Sequence, residues 1–116
     1  IGGLEVIMNN VKNRRESNRT YLRETKEVLI NNKRFIMKDI SREGIGVLVE
    51  DSFDFFIGQR IASIFLEDNE EAQPLVGIVN HLSQDVSGTI CGIRFDFRSS
   101  IEFEYVEAIN HALTVT

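Results

Sequence analysis

Residues 89–97 alternate with period two: Thr89, Cys91, Ile93, Phe95 and Phe97 fall on one side, Ile90, Gly92, Arg94 and Asp96 on the other. Only an extended strand sends alternate residues to opposite faces, so this run demands a sheet with its aromatic side inward and Arg94 and Asp96 outward. A lone strand cannot bury that side, and the preceding sequence supplies partners. Glu27–Ile30 leads to a turn at Asn31-Asn32, from which Arg34–Met37 resumes. The turn-rich stretch Asp39–Gly44 precedes the apolar run Ile45–Val49. Gly58 precedes a strand through Ile61, Ile64 and Leu66, and the acidic loop Glu67–Glu71 precedes Leu75–Val79. Six short strands joined by brief turns predict an antiparallel barrel or sandwich. The period then changes: Ser99-x-x-Glu102 has the pattern of a capping box, and Ile101, Tyr105, Ile109, Ala112 and Leu113 recur with helical spacing. An all-β body closed by one amphipathic helix is expected.

At the other end, Leu4, Ile7, Met8 and Val11 share one helical face, interrupted by Asn9, Asn10 and Asn13. A helix this short needs a neighbour to be stable. The expected division is a linker with a short amphipathic helix over residues 1–13 and a barrel domain over residues 14–116. The chain opens Ile1-Gly2-Gly3 rather than with Met, and the expectation is that it belongs to something longer.

With 116 residues there is room for one domain and one core. A single Cys excludes an internal disulfide, and one Cys with two His leaves too few soft ligands for a structural zinc site. No apolar run approaches the roughly 18 residues of a membrane span. These features point to a soluble domain of a reducing compartment, expected to be cytoplasmic. The chain has neither a Walker loop nor Gly-x-Gly-x-x-Gly nor Gly-x-Ser-x-Gly, and His81 and His111 stand far apart. Cys91 sits on the apolar side of its strand, where a thiol is structural and inert. The expectation is a protein that is not an enzyme and carries no metal or cofactor.

The net charge of −5 is unevenly spread. Residues 1–44 hold ten basic side chains against six acidic ones, and residues 45–116 hold three against twelve. A basic first third on an acidic body suits a local anionic partner better than a long nucleic acid. Within the basic part, Arg15-x-x-x-Arg19, preceded by Arg14, brings two guanidiniums to one side, a fork able to hold a phosphate or the O6/N7 edge of a guanine. Twenty residues after Arg19 comes Asp39-x-Ser41-x-x-Gly44. Taken alone it is a turn, with Asp and Ser bonding back to the backbone and Gly at positive φ. Taken as a site, Asp39 can accept from the N1–H and N2–H₂ of a guanine, Ser41 can donate to phosphate or base, and Gly44 lets main-chain atoms approach a ligand.

In this order and at this separation the two segments resemble the signature of the PilZ domain family, Arg-x-x-x-Arg followed by (Asp/Asn)-x-Ser-x-x-Gly. The resemblance covers roughly residues 14–113 and includes Gly77-Ile78-Val79, Gly92-Ile93-Arg94-Phe95 and the closing helix. It implies a six-stranded antiparallel Greek-key barrel with a C-terminal α-helix. It also implies a bacterial receptor domain for the second messenger cyclic di-GMP, passing its signal to an attached or partner protein. Carried over, Arg15 and Arg19 would contact phosphates and guanine faces from an N-terminal arm, and Asp39, Ser41 and Gly44 would hold a guanine and the ribose-phosphate ring from the barrel surface. A basic residue at the position of Arg14 goes, in the family, with a stacked pair of ligand molecules. Some relatives add an aromatic or Arg platform after the Gly-x-Val segment; the neighbourhood here is Asn80-His81, so His81 is the candidate for stacking. Two other readings stay open: a protein-interaction adaptor of the same fold that ignores nucleotides, and an RNA or single-strand binder on a small barrel. The second is weakened by the acidic balance and by the lack of aromatics interleaved with the basic residues.

Overall fold

The computed structural model describes residues 20–50, 54–67 and 72–114, with side chains from Thr25 to Leu113. Six strands form the body: β1 (Thr20–Ile30), β2 (Lys33–Ile40), β3 (Gly44–Val49), β4 (Arg60–Phe65), β5 (Leu75–Asp85) and β6 (Gly88–Phe95). One helix follows, α1 (Ser100–Thr114). Every strand pairing is antiparallel, and the order β1-β2-β3-β6-β5-β4 closes into a barrel. Two three-stranded meanders are thus joined along β3–β6 on one side and β1–β4 on the other. The β3–β6 side is regular, with six consecutive residue pairs. The β1–β4 side has two, Leu29↔Phe65 and Ile30↔Ile64, with Asn31 N–H donating to the Ser63 carbonyl at 3.0 Å.

The turns follow from local chemistry. Asn31 and Asn32 adopt φ of 52° and 68°, the pair of left-handed residues that a two-residue hairpin needs and asparagine tolerates. Gly88 takes φ 128° where β6 begins. Val28, Ile30, Met37, Ile40, Ile45, Val47, Ile61, Ile64, Leu75, Val79, Cys91 and Ile93 fill the barrel. The inward side of β6 is the alternating set expected from its sequence, and Arg94 and Asp96 are exposed. Burial with no compensating charge pushes the Cys91 thiol up to about 12, so at neutral pH it is an inert core group.

Helix α1 covers one end of the barrel, with Val106 fully buried and Tyr105, Ile109 and Leu113 packed on the core. Phe97 bridges barrel and helix, tilted against Phe95 and edge-on to Phe103 with ring centroids 5.4 Å apart. The capping box forms in part. Glu102 N–H donates to Ser99 Oγ at 3.3 Å, but the Glu102 carboxylate accepts from the backbone N–H of Arg98, one residue earlier, at 2.9 Å. It also takes the Arg98 guanidinium at 2.6 Å, and that guanidinium reaches the Pro74 carbonyl. Burial works to raise the Glu102 carboxyl, but the hydrogen bonds and charge of Arg98 outweigh it and hold the group below the usual carboxylate value. A second tie runs from Tyr105 Oη–H to the Glu67 carboxylate at 2.8 Å. Among the described residues no helix is long and apolar enough to cross a membrane.

The strand ends differ from the sequence pattern in informative ways. β1 begins at Thr20, and β5 runs on to Asp85, six residues past the apolar segment, where its polar half pairs with β6 in a hairpin arm. Asp39 was expected in a turn and lies instead in β2. The turn proper is Ser41–Gly44, where Ser41 N–H donates to the Gly44 carbonyl at 2.9 Å. Gly44 was expected at positive φ and does not adopt it; among the described glycines only Gly58 and Gly88 do. The reason for glycine there is proximity. A Cβ on Gly44 would overlap the Ile93 carbonyl oxygen and come within 3.1 Å of Arg94 Cα.

Candidate functional site

Asp39 and His81 come to one outer face of the barrel by the same device. In β2, Met37 pairs with Val47 and Asp39 with Gly46, so Lys38 is an extra residue against β3. Met37, Ile40, Ile45 and Val47 all face the core. Strict alternation after Met37 would send Asp39 inward and Ile40 outward. The bulge at Lys38 reverses the phase, turning Asp39 out and Ile40 in. In β5, Val79 pairs with Ile93 and His81 with Gly92, leaving Asn80 as the extra residue. Val79 is in the core, and the bulge turns His81 out and Leu82 toward the core.

The registers Tyr21↔Asp39, Asp39↔Gly46, Gly46↔Gly92 and Gly92↔His81 then align one row across five strands. Its middle is two glycines. Both are buried because their neighbours in the row lie over them: a Cβ on Gly46 would stand 2.8 Å from Asp39 Oδ2, and one on Gly92 would overlap the His81 ring. The face is therefore a shallow trough of close backbone, over which a carboxylate and an imidazole lean toward each other from opposite flanks. Three strand spacings, roughly 14 Å along the sheet, separate their backbones. Asp39 and His81 each make a polar or ring interaction within the molecule as well.

The Ser41–Gly44 turn borders this row. Ser41 is buried, 3% exposed, and its Oγ accepts the Glu43 backbone N–H at 3.2 Å. That bond uses an acceptor site and leaves the hydroxyl proton as a donor. The turn is fixed to β6 by the Phe95 N–H donating to the Glu43 carbonyl at 2.8 Å, and to α1 by Arg42 and Glu107 at 3.7 Å. A rigid hairpin tip is thus presented at the edge of the trough.

Of the residues singled out in the sequence, the structure brings Asp39, Ser41, Gly44 and His81 to this face and its edge. Arg14, Arg15 and Arg19, with the linker over 1–13, lie outside the described residues. The entry of the basic segment is nevertheless marked, because Thr20, which follows Arg19, pairs with Ile40, and Tyr21 pairs with Asp39. Gly46 and Gly92 were not recognised as site residues. Each looks in sequence like a weak point of an apolar strand, and their shared row appears only once β3 and β6 are in register. Among the described residues no group of three or more His, Cys, Asp or Glu could hold a metal ion.

A family model described as PilZ domain matches residues 13–111 of this sequence. No curated protein matches it. Among solved structures, the PilZ domain of YcgR from Escherichia coli with c-di-GMP is similar, with a TM-score of 0.68 and 21% identity over 87% of this chain and 92% of that one. YcgR from E. coli in complex with c-di-GMP gives 0.69 and 19% over 87% of this chain and 46% of that one. The K. pneumonia MrkH–c-di-GMP complex gives 0.69 and 20% over 88% and 53%. The chain thus spans about half the length of YcgR and MrkH. At this identity the likeness is one of fold, and it agrees with the strand order found here.

Proposed function

This chain belongs to the PilZ domain family, and we propose that it is a receptor domain for cyclic di-GMP that acts by binding rather than by catalysis. The observation that carries the reading is the row of paired residues that brings Asp39 and His81 over two facing glycines from opposite flanks, beside the strand that continues the Arg15–Arg19 segment. The similar solved structures of YcgR and MrkH hold c-di-GMP, which supports the choice of ligand.

In this reading Asp39 accepts the N1–H and N2–H₂ of one guanine. The Ser41 hydroxyl donates to the ribose-phosphate ring, and Gly44, packed closely on β6, holds the turn that presents it. His81 offers an imidazole face for stacking. Arg15 and Arg19 close over the phosphates, and Arg14 favours a second, stacked ligand molecule. Charge-assisted hydrogen bonds contribute about 1.5–3 kcal/mol each. Ordering backbone costs about 1–2 kcal/mol per residue. The surplus is modest, so the affinity falls in the middle of the range seen for ligands. Binding orders the arm at residues 14–19 and so re-aims whatever precedes residue 14, in an attached domain or a partner.

Calorimetry with cyclic di-GMP, GTP and cyclic GMP tests this directly. Cyclic di-GMP alone is expected to bind tightly, and Arg15→Ala or Arg19→Ala to abolish the heat with an unchanged circular dichroism spectrum. Equal heats from all three nucleotides would overturn it.

A further inference from the structure

The acidic body, residues 45–116, contains three basic side chains, Arg60, Arg94 and Arg98. Arg98 is committed to Glu102 and the Pro74 carbonyl. Arg60 and Arg94 have no ion-pair or side-chain hydrogen-bond partner among the described residues. The registers Arg60↔Ile78 and Ile78↔Arg94 place these two arginines in one outward row, on either side of the half-buried Ile78. Two strand spacings, about 10 Å, separate their backbones. The row lies next to the glycine trough, since Arg94 is two residues beyond Gly92 on the same side of β6, about 7 Å along the strand. Glu43 lines an open depression with Arg94, Phe95 and Phe97, yet no ion pair joins it to Arg94. Two like charges in one row repel and contribute nothing to the barrel. Unneutralised guanidiniums in one row beside a trough are instead what an anion needs, because each presents a planar fork of donors that matches phosphate oxygens.

We propose that Arg60 and Arg94 form an anion subsite bordering the trough, which takes a phosphate of the bound dinucleotide. The identity of that ligand rests on the function proposed above; the anion chemistry rests on the two arginines alone. The experiment therefore has two arms. In the first, the side-chain Nε–Hε NMR signals of Arg60 and Arg94 are followed during titration with pyrophosphate, and with guanosine as an uncharged control. Both signals are expected to move along one saturating curve with pyrophosphate and to stay still with guanosine. In the second, calorimetry compares cyclic di-GMP binding to the native chain and to Arg60→Ala/Arg94→Ala. The double variant is expected to keep its melting temperature and lose about tenfold in affinity, and Arg60→Lys/Arg94→Lys to recover part of it.

The proposal is overturned if pyrophosphate leaves both signals in place, or if the double alanine variant binds cyclic di-GMP as tightly as the native chain. The second result would leave the receptor reading intact. A saturating pyrophosphate response in a native chain that gives no heat with cyclic di-GMP would do the reverse, retaining the anion subsite and removing the dinucleotide.

Discussion

The centre and the flanks of the candidate face are built in opposite ways. β3 and β6 pair through six consecutive residues without irregularity, and their outward side holds glycine at 44, 46 and 92. β2 and β5, on either side, each insert one residue, Lys38 and Asn80, and through it turn a polar side chain outward. Regular pairing with glycine at 46 and 92 leaves a floor of close backbone under the side chains of the neighbouring strands. Bulged pairing delivers functional groups onto it. A sheet of six regular strands would have had the floor and buried the groups.

The sharpest way to break this comparison is to add a methyl to the centre. Gly44→Ala forces a Cβ against backbone that cannot rotate away, so it is expected to lower stability by about 3 kcal/mol in chemical denaturation. Gly46→Ala and Gly92→Ala meet side chains that can swing aside, and should cost about 1 kcal/mol or less. If Gly92→Ala were as damaging as Gly44→Ala, the His81 ring would be part of the framework and not a group laid upon it.

The flanks are tested by removing what they carry. Asp39→Ala is expected to weaken cyclic di-GMP about 10- to 100-fold in calorimetry, the loss of charged hydrogen bonds. His81→Ala should weaken it roughly threefold to tenfold, as a stacking contact would, and neither should lower the melting temperature by more than a few degrees. Leu48→Ala, on the next outward row of the same regular strands, should do the opposite. It is expected to cost about 1 kcal/mol of stability and leave affinity unchanged.

Much of the architecture was legible in the sequence because apolar periodicity is read one residue at a time. The inward side of β6, the Asn31-Asn32 turn and the amphipathic pattern of α1 all follow from local spacing. The bulges do not. A one-residue insertion has no sequence marker here, as Lys38 and Asn80 are ordinary polar residues, and it reverses every face assignment downstream. Asp39 therefore read as part of a turn. The turn chemistry of Ser41 was legible in kind, since its hydroxyl bonds back to the Glu43 amide as such residues do. The role of Gly44 was not, because the contact that demands glycine comes from β6, fifty residues away in the chain.

Groups outside both regions provide the smaller, pH-dependent checks that α1 is a separate attachment. The Glu102 carboxyl is held below its usual value, so its contribution is present above about pH 4.5 and is lost as pH falls through the lowered value. Melting curves from pH 7 to pH 3 should show native protein losing more stability than Glu102→Gln, which itself should melt about 5 °C lower at neutral pH. The Tyr105 phenol is pushed up to about 12 by burial and by Glu67. Its sign is the reverse: the contribution is complete below pH 10 and disappears as pH rises toward 12. Absorbance titration at alkaline pH should show a late-titrating phenol that Tyr105→Phe removes. A binding face insensitive to both variants would confirm that the floor and the helix attachment are energetically distinct.

The barrel is zipped unevenly. Only two residue pairs and one turn amide join β1 to β4, while β1 is also the strand into which the arginine segment runs. The arginine segment enters β1 at Thr20, the end held to β2, and lies at the far end of the strand from this seam; amide exchange should unfasten at the β1–β4 closure before it reaches the long β3–β6 one.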